Sequence, residues 1–331
     1  MPCQALHLLQ ALQQQKGIPG IQIAVSVKGQ TILSQGLGYA DVANQLPVTT
    51  STQFRIGSIS KSLTSAALLK LLEEQRLDLD APIQRYVPTF PRKPYPITTR
   101  QLAGHLAGIR HYNLDDPHDA NRTEHYQTVT QALAIFQQDP LLFEPGTQYH
   151  YSSYGWNLIG AVIEGIVGQA YLPYMQRTIW LPLGMVHTYG DQVDSIMPDR
   201  SKFYQNNGKL IPPDDMSSKY PSGGILSTAD DLVLYGNSLL VNTLFKPKLT
   251  RLLFASQTTR AGRSVHYGLG WHVGLTASGH RVYWHDGLVA GGSGYLLLYP
   301  DDKIVVSILA NSRLGHDLPA QALGELFLAN Y

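Results

Sequence analysis

Strand-like segments lie at both ends of this 331-residue chain and helix-like segments fill its middle, and this distribution most constrains the fold. Residues 21–27 alternate and are rich in branched side chains, and residues 31–39 can return as the second strand of a hairpin. Short branched or aromatic runs separated by Gly, Pro and Asp recur near the other end, at 267–274, 281–285, 294–299 and 303–310. The pattern predicts one antiparallel sheet assembled from both ends of the chain.

Apolar residues recur at helical spacing between these strand regions. One helix is predicted from Ser58 to about Arg76 and another from Ser152 to Val167. A further helix start is predicted at 227–230, where a hydroxyl acceptor precedes a carboxylate by three residues. Two more helices are predicted near the ends, over 1–17 and 318–329. The predicted fold class is α+β, an α/β sandwich in which helices flank the antiparallel sheet and a mostly helical lobe is attached.

The chain is interpreted as a single catalytic domain, residues 1–331, with two lobes. The sheet lobe takes about 1–57 and 243–331, and the helical lobe about 58–242. Hydrophobic residues make up 44% of the chain, which is enough for a sizeable buried core. The crevice between the lobes is the expected place of an active site.

Composition and charge exclude several classes of function. Lys plus Arg is 25 and Asp plus Glu is 24, without a run of like charges, so the basic patch of a nucleic-acid-binding protein is missing. The single cysteine, Cys3, forms neither an internal disulfide nor a multi-cysteine metal site. No stretch approaches the roughly 18 consecutive apolar residues of a membrane span.

The compartment stays open at this stage. Residues 1–17 lack the basic start and continuous apolar core of a signal peptide. A cytoplasmic location is expected if the chain is complete, and a periplasmic or extracellular one if an export signal was trimmed.

Ser58-Ile59-Ser60-Lys61 is the only Ser-x-x-Lys pattern in the chain. Residues three apart share one face of a helix, so the Ser58 hydroxyl and the Lys61 amine can meet at its first turn. A lysine takes a proton from serine only when burial or a neighbouring cation lowers its usual pKa of about 10.4. The alternative is a capped helix with a surface lysine, and the catalytic interpretation rests on Gly57 and on two downstream elements.

The first of these elements is Tyr151-Ser152-Ser153, which precedes the second predicted helix. Its phenol could receive a proton from Lys61 and pass it to a leaving group, which is general acid catalysis. Tyr204-Gln205-Asn206 is a rival match, but it lies in a polar loop without a clear helix to hold it.

The second element is His285-Asp286-Gly287, at the end of the predicted strand 281–285. On an edge strand that faces the nucleophile, its polar side chains would hold the substrate, and the glycine would let substrate backbone approach closely. The next amide, that of Leu288, could join the Ser58 amide in an oxyanion hole. The alternative is an ordinary turn.

Other catalytic constellations do not fit the sequence. The chain contains no Gly-x-Ser-x-Gly, and Gly291-Gly292-Ser293-Gly294 has the wrong spacing for that motif. There is no His-Glu-x-x-His helix either, although several histidines invite a metal interpretation: His105, His111, His118 and His125. Neither a metal nor a cofactor is expected.

Together, these motifs resemble the serine β-lactamase-like family, which includes class C β-lactamases, D-Ala-D-Ala carboxypeptidases and related esterases. The likeness spans about 20–325 and is carried by residues 54–64, 77–80, 97–100 and 105–112. The resemblance implies a β-lactamase/transpeptidase-like fold. It also implies roles for five groups: Ser58 would form the acyl-enzyme, Lys61 and Tyr151 would handle protons, and the amides of Ser58 and Leu288 would bind the oxyanion.

Some positions depart from the family or need their own interpretation. Ser153 stands where many relatives have Asn, which implies a weaker or different hold on the acyl side chain. His285 replaces the lysine common in the third motif. Asp286 stands where relatives usually carry Thr or Ser, and its carboxylate should repel a substrate carboxylate if it points inward. His105 is interpreted as a structural residue that holds the loop after the site.

The leading hypothesis is a serine hydrolase that acts on amide or ester bonds through an acyl-enzyme on Ser58. Peptides or small esters are favoured over β-lactams, for which only weak activity is expected, because of Asp286. The alternative is a non-catalytic scaffold or filament-forming protein of the same fold, which has no chemical need for an intact set of Ser58, Lys61 and Tyr151. The expected partners are a small-molecule or peptide substrate and, as an open option, further copies of the chain, with neither nucleic acid nor a membrane span.

Overall fold

The computed structural model describes residues 2–113, 115–120, 122–195 and 197–328. Its strands are β1 Gly20–Val27, β2 Gln30–Asp41, β3 Leu46–Pro47, β4 Phe54–Arg55, β5 Tyr189–Gly190, β6 Ile225–Ser227, β7 His272–Leu275, β8 Arg281–Val289, β9 Gly292–Tyr299 and β10 Ile304–Ala310. Its α-helices are α1 Pro2–Lys16, α2 Ile59–Glu73, α3 Thr99–Ala103, α4 Pro117–Ala120, α5 Val129–Ala132, α6 Ser153–Val167, α7 Tyr171–Met175, α8 Ala229–Leu240, α9 Pro247–Phe254 and α10 Ala320–Leu328.

Within the described ranges, seven strands form the main sheet in the order β3-β2-β1-β10-β9-β8-β7. All neighbouring pairs in it are antiparallel. β1 lies against β10, with Ile21 opposite Ala310 and Val27 opposite Ile304. The prediction of an antiparallel sheet built from both ends of the chain is therefore confirmed. A separate three-stranded sheet, β4-β6-β5, was not predicted.

Both faces of the main sheet are covered, which explains why every residue of β1 is buried. Ile21, Ile23 and Val25 share one core with apolar side chains of α1 and α10. On the other face, Ser26 donates a hydrogen bond to Asn237 of α8 at 2.6 Å, and Gln22 accepts one from the amide of Ala229. The sheet is thus the central layer of a sandwich.

Several helix boundaries differ from the predicted ones: α2 ends at Glu73 rather than near Arg76, and α10 begins at Ala320 rather than at Leu318. The cap of α8 is Thr228, whose hydroxyl accepts from the Asp231 amide at 3.1 Å. The hydroxyl and the carboxylate residue of this helix start are therefore 228 and 231, one residue later than the predicted 227 and 230. α8 also falls in the range assigned to the helical lobe, yet it packs on the sheet. At the ends, Met1 and Ala329 of the predicted helices lie outside the described residues.

Two strand boundaries differ in a way that shapes the crevice. β7 begins at His272 rather than at Tyr267, because Gly270 has a φ of 81° and Tyr267 pairs back onto His272 in a tight bridge. β8 runs to Val289, four residues beyond its predicted end. Since β7 pairs only with residues 281–284, the rest of β8 keeps β9 on one side and is open on the other. His285–Val289 is therefore an edge, although β8 as a whole is not the edge strand.

No single helix in the described part of the chain is long and apolar enough to cross a membrane. A bent pair, Ser153–Val167 with Tyr171–Leu183, reaches the required length and composition only when its two helices are taken together.

Candidate active site

Ser58 stands at the start of α2, directly after a backbone turn that places it at the open edge of β8. Gly57 has a φ of 52°, which side-chain-bearing residues rarely adopt, and a Cβ atom there would lie 2.7 Å from the Leu288 amide nitrogen. The Ser58 hydroxyl makes no capping hydrogen bond to α2. Its oxygen is therefore left for other partners, unlike that of a serine whose role is to cap a helix.

Lys61 is fully buried, not a surface lysine. Its Nζ lies 2.9 Å from Ser58 Oγ, 3.1 Å from Ser153 Oγ and 2.7 Å from the carbonyl oxygen of Ser222. Burial holds the pKa of Lys61 well below its ordinary value, and the negative charge of Asp286 only partly opposes this effect. The neutral amine is therefore accessible at much lower pH than for an exposed lysine.

Tyr151 completes a three-residue cluster around the Ser58 hydroxyl. Its phenol donates a hydrogen bond to Ser58 Oγ at 2.9 Å. The tyrosine is held just ahead of α6, because the Ser152 hydroxyl caps that helix by accepting from the Gly155 amide at 2.9 Å. Burial raises the pKa of Tyr151 far above its ordinary value, so the phenol keeps its proton.

The rival motif lies elsewhere. The Tyr204 hydroxyl accepts a hydrogen bond from the Val42 amide at 2.8 Å, in a buried position between β2 and the segment after β10. In the described part of the chain, the cavity around Ser58 is lined by other residues and not by Tyr204. Of the two candidate tyrosines, only Tyr151 reaches the serine.

The open end of β8 packs directly on the turn that carries Ser58. A Cβ atom at Gly287 would fall on the carbonyl oxygen of Ile56 and lie 3.4 Å from the Ser58 nitrogen. This approach brings the amides of Ser58 and Leu288 to the same wall of the cavity, which both residues line. Two neighbouring backbone amides are the donors that an oxyanion hole requires.

The two polar side chains of the third motif point in different directions. His285 is buried: its Nδ1 donates to the Asp286 carbonyl oxygen at 2.6 Å, so its Nε2 accepts from the Tyr267 hydroxyl at 2.9 Å. Burial lowers the pKa of His285 to about 3. His285 thus supports the strand from behind and is not among the residues that line the cavity, in contrast to its predicted contact with substrate.

Asp286, by contrast, lines the cavity, and its carboxylate is one-third exposed. One carboxylate oxygen accepts from His316 Nε2 at 3.1 Å, and the other lies 3.8 Å from His272 Nε2. Burial alone would raise the pKa of Asp286, but the hydrogen bond from His316 and the nearby imidazoles outweigh it and hold the pKa well below its usual range. The carboxylate is therefore ionised at the site.

Ser153 and His105 lie beside Lys61 and Tyr151. Ser153 lines the cavity, but its hydroxyl is within hydrogen-bond distance of Lys61 Nζ. His105 Nδ1 accepts from the Ser152 amide at 3.0 Å, and its ring lies 4.3 Å from that of Tyr151, centre to centre. Burial holds the pKa of His105 well below its usual value, so this imidazole is neutral. Its contacts are those of a residue that fixes the Tyr151 segment.

The cavity has a volume of about 650 Å³ and includes residues that the sequence did not single out as part of the site. Lys219 and Ser222 come from the segment before β6, and His272, Arg313 and His316 come from β7 and the turn after β10. Isolated residues such as these match no motif, so the sequence holds no signal for them. Of the other histidines considered, His125 pairs with Asp215 at 2.8 Å, away from this cavity.

Comparison with known proteins now decides the family. The Beta-lactamase family profile matches residues 6–330, almost the whole chain. The chain belongs to the beta-lactamase family. This finding confirms the resemblance drawn from the motifs around Ser58 and the expected α+β fold.

Human mitochondrial serine beta-lactamase-like protein LACTB is 35% identical over an alignment of 412 positions, gaps included, which covers 92% of this chain and 75% of the relative. The octameric penicillin-binding protein homologue of Pyrococcus abyssi superposes with a TM-score of 0.84 at 26% identity, covering 98% of this chain and 76% of that one. A D-stereospecific amidohydrolase from Streptomyces sp. superposes with a TM-score of 0.77 at 24% identity, and the match covers 92% of this chain and 95% of the amidohydrolase chain. At that identity, the last match shows the fold alone.

Proposed function

We propose that this protein is a serine hydrolase that cleaves amide or ester bonds through an acyl-enzyme on Ser58. The observation that carries the proposal is the convergence on Ser58 Oγ of two proton-handling groups, Lys61 Nζ and Tyr151 Oη, each at 2.9 Å. Nucleophile and base within about 2.6–3.2 Å of each other are the signature of an activated serine. Membership of the beta-lactamase family supports the same chemistry.

Lys61 is the base in this proposal. A neutral amine has two hydrogens and one lone pair, and three oxygen atoms surround Nζ. The Ser222 carbonyl can only accept, and the Ser153 hydroxyl can take the second hydrogen. The lone pair then faces the hydroxyl hydrogen of Ser58, which is the arrangement that proton abstraction needs.

Acylation follows from this arrangement. Lys61 takes the proton of Ser58 as Oγ bonds to the substrate carbonyl carbon, and the amides of Ser58 and Leu288 stabilise the oxyanion. When the bond to the leaving group breaks, that group takes a proton from Tyr151, which Lys61 replaces. A water molecule then attacks the ester on Ser58, with the same groups moving protons in the reverse sense. The acid is released and Ser58 regains its hydrogen.

Asp286 restricts the substrate class. Its ionised carboxylate lines the cavity near the nucleophile, and a substrate carboxylate placed beside it would be repelled. We therefore favour peptides and small esters without a carboxylate next to the scissile bond, and only weak hydrolysis of penicillins.

Mass spectrometry of the intact protein after treatment with a fluorophosphonate tests the proposal. We expect one adduct on the wild type and none on Ser58→Ala. Ser60→Ala is the matched control, because the Ser60 hydroxyl is buried two residues away without a hydrogen-bond partner among the described residues. The proposal fails if the wild type stays unlabelled or if Ser58→Ala is labelled as well.

A scaffold that assembles without catalysis remains the competing function, since one similar structure is an octamer. Sedimentation velocity and p-nitrophenyl ester hydrolysis on the same preparation separate the two. Our proposal requires ester turnover that Ser58→Ala abolishes, whatever the size of the particle. Large assemblies with no turnover would favour the scaffold.

A further inference from the structure

His111 lines the cavity beside Ser58 but has no part in the proposed proton transfers. Its Nδ1 accepts a hydrogen bond from the Ser153 amide at 3.1 Å. A backbone amide can only donate, so Nδ1 carries no proton and its lone pair is used in this bond. In the neutral ring the single proton is therefore on Nε2.

The Nε2–H group of His111 is uncharged and open to the cavity. Burial, with the nearby positive charge of Lys61, lowers the pKa of His111 to about 4, so the ring is neutral at pH 7. Nε2 has no hydrogen-bond partner in the described part of the chain, and it is accessible to solvent, unlike the buried and unpartnered Nε2 of His105. His111 thus offers one N–H donor to whatever enters the cavity.

Two aromatic rings restrict the position of this imidazole. The Tyr112 ring lies 4.8 Å from it, centre to centre, with the planes at 31°. The Tyr151 ring lies 5.5 Å away at 85°, and its hydroxyl in turn contacts Ser58. A donor that is held in place before the ligand arrives loses little freedom on binding, which favours binding.

Neighbouring polar side chains on the same wall of the cavity already have partners. The Ser153 hydroxyl lies 3.1 Å from Lys61 Nζ, and the Tyr112 phenol lies 3.1 Å from the Ser222 hydroxyl. Ligand sites are commonly cavities in which a few well-placed polar groups fix the orientation of the ligand. On this wall, His111 Nε2 is placed to be such a group.

We propose that the Nε2–H of His111 binds a carbonyl oxygen of the substrate close to the scissile bond. This inference rests on the proposed hydrolysis and narrows its substrate class. Peptides and esters of N-acylated amino acids carry such a second carbonyl group, and we infer that they are favoured over plain alkyl esters. A substrate that displaces water from the cavity without offering this oxygen leaves the donor unpaired, which weakens binding.

NMR of the protein labelled with ¹⁵N in its histidine rings tests the tautomer. The ring signals of His111, identified by their loss in His111→Asn, should show a protonated Nε2 and an unprotonated Nδ1 at pH 7. A proton on Nδ1, or on both nitrogens, would overturn the proposal.

Two matched pairs of esters test recognition of the carbonyl group. The first pair is p-nitrophenyl N-acetylglycinate and p-nitrophenyl pentanoate, an acyl chain of equal length without the amide. The second is 4-acetamidophenyl acetate and 4-propylphenyl acetate, which puts the amide on the leaving group. The wild type should prefer the amide-bearing ester in one pair, and His111→Asn should lower that ratio of kcat/KM values at least about three-fold. The affected pair identifies the side of the scissile bond that His111 reads.

His111→Asn is chosen because its side-chain oxygen can still accept from the Ser153 amide, whereas the shorter side chain places no donor at the position of Nε2. His111→Gln, whose longer amide can bring an N–H group near that position, should recover part of the ratio. His125→Asn is the matched control, since His125 pairs with Asp215 away from this cavity. It should leave both ratios unchanged.

The inference about His111 can fail separately from the proposed hydrolysis. Unchanged ratios in His111→Asn, or an equal fall in His125→Asn, overturn the role of His111 while ester turnover that depends on Ser58 persists. Absence of turnover in the wild type, or turnover that survives Ser58→Ala, contradicts the hydrolase itself.

Discussion

The phenol of Tyr151 and the hydroxyl of Ser58 are 2.9 Å apart, and the tyrosine is the donor. A protonated phenol at this position can deliver a proton to a leaving group but cannot act first as the base. We expect Tyr151→Phe to lower kcat by about 10²- to 10⁴-fold while the protein stays folded. Steady-state hydrolysis of a p-nitrophenyl ester and circular dichroism check this.

Tyr149→Phe is the control for that substitution, because Tyr149 lies two residues away and is 39% exposed. It should retain nearly full activity. Equal losses in both variants would mean that the Tyr151 phenol has no special role.

The pH profile reports on Lys61. The base form is the neutral amine, so kcat/KM should rise with pH through the Lys61 pKa and be lost below it. Burial lowers that pKa despite the opposing charge of Asp286. The pH at which kcat/KM declines on the acid side should therefore lie well below 10.5. The other groups around Nζ are the uncharged Ser58, Ser153 and Tyr151 side chains and the Ser222 carbonyl.

Substitution of the lysine sharpens this test. Lys61→Arg, which cannot be deprotonated, should lose activity by at least about 10²-fold at every pH. Lys70→Arg, on the same helix in a partly exposed pair with Glu73, should leave the profile unchanged. An acid limb near pH 10, or an active Lys61→Arg, would rule out Lys61 as the base.

Gly287 controls the distance between β8 and the Ser58 turn. A methyl group there collides with the Ile56 carbonyl, so Gly287→Ala should displace the Leu288 amide and lower kcat by about 10²-fold or more. Gly274→Ala on β7 is the control, since its nearest neighbour, Trp284, is at an ordinary contact distance of 3.4 Å. Initial rates and thermal melts of the two variants, measured together, decide whether the close approach matters for catalysis. Equal rates would contradict this role.

Asp286 is expected to select against anionic substrates. Asp286→Thr removes the carboxylate and introduces a hydroxyl, so turnover of the anionic β-lactam nitrocefin should rise relative to that of a neutral ester. The ratio of the two kcat/KM values is the readout. An unchanged or smaller ratio would show that Asp286 does not influence what is bound.

Acid should destabilise the protein through buried neutral imidazoles. Burial, with the nearby Lys61 charge, lowers the pKa of His111 to about 4, and His105 is lowered as well. Below pH 6.5 the unfolded chain binds these protons and the native state does not, so each group costs up to about 1.4 kcal/mol of stability per pH unit. The loss begins near pH 6.5 as pH falls and ends at the native pKa.

Urea unfolding at several pH values measures this effect. His111→Asn keeps an acceptor for the Ser153 amide but does not titrate, so its stability should fall less steeply between pH 6 and 4.5. His125→Asn, at a side chain that is 61% exposed, should keep the wild-type slope. Identical slopes for all three proteins would contradict the assignment.

Local patterns were enough to predict the elements around Ser58. The helix after Ser58 and the antiparallel sheet were expected because apolar spacing and branched residues are local signals. The choice of Tyr151 over Tyr204 rested on the helix that follows Tyr151, and α6 does begin at Ser153.

Contacts between distant segments were beyond local patterns. Nothing near His285 indicates that its ring turns inward, because the decisive partner is Tyr267, in the segment before the neighbouring strand β7. The histidines that flank Asp286 come from β7 and from the turn after β10, and they meet only once the sheet has formed. The end of β8 was misplaced for a similar reason, since strand pairing with β9 decides it.

The pairing of β1 with β10 has a consequence for biosynthesis. The amide of Gly20 bonds to the side chain of Asn311, 291 residues later, so the centre of the sheet cannot close until nearly all of the described chain has left the ribosome. Contacts of such long range slow folding and leave apolar strands exposed during translation. Production of active protein should therefore depend on chaperone supply and on growth temperature more strongly than the stability of the finished fold would suggest.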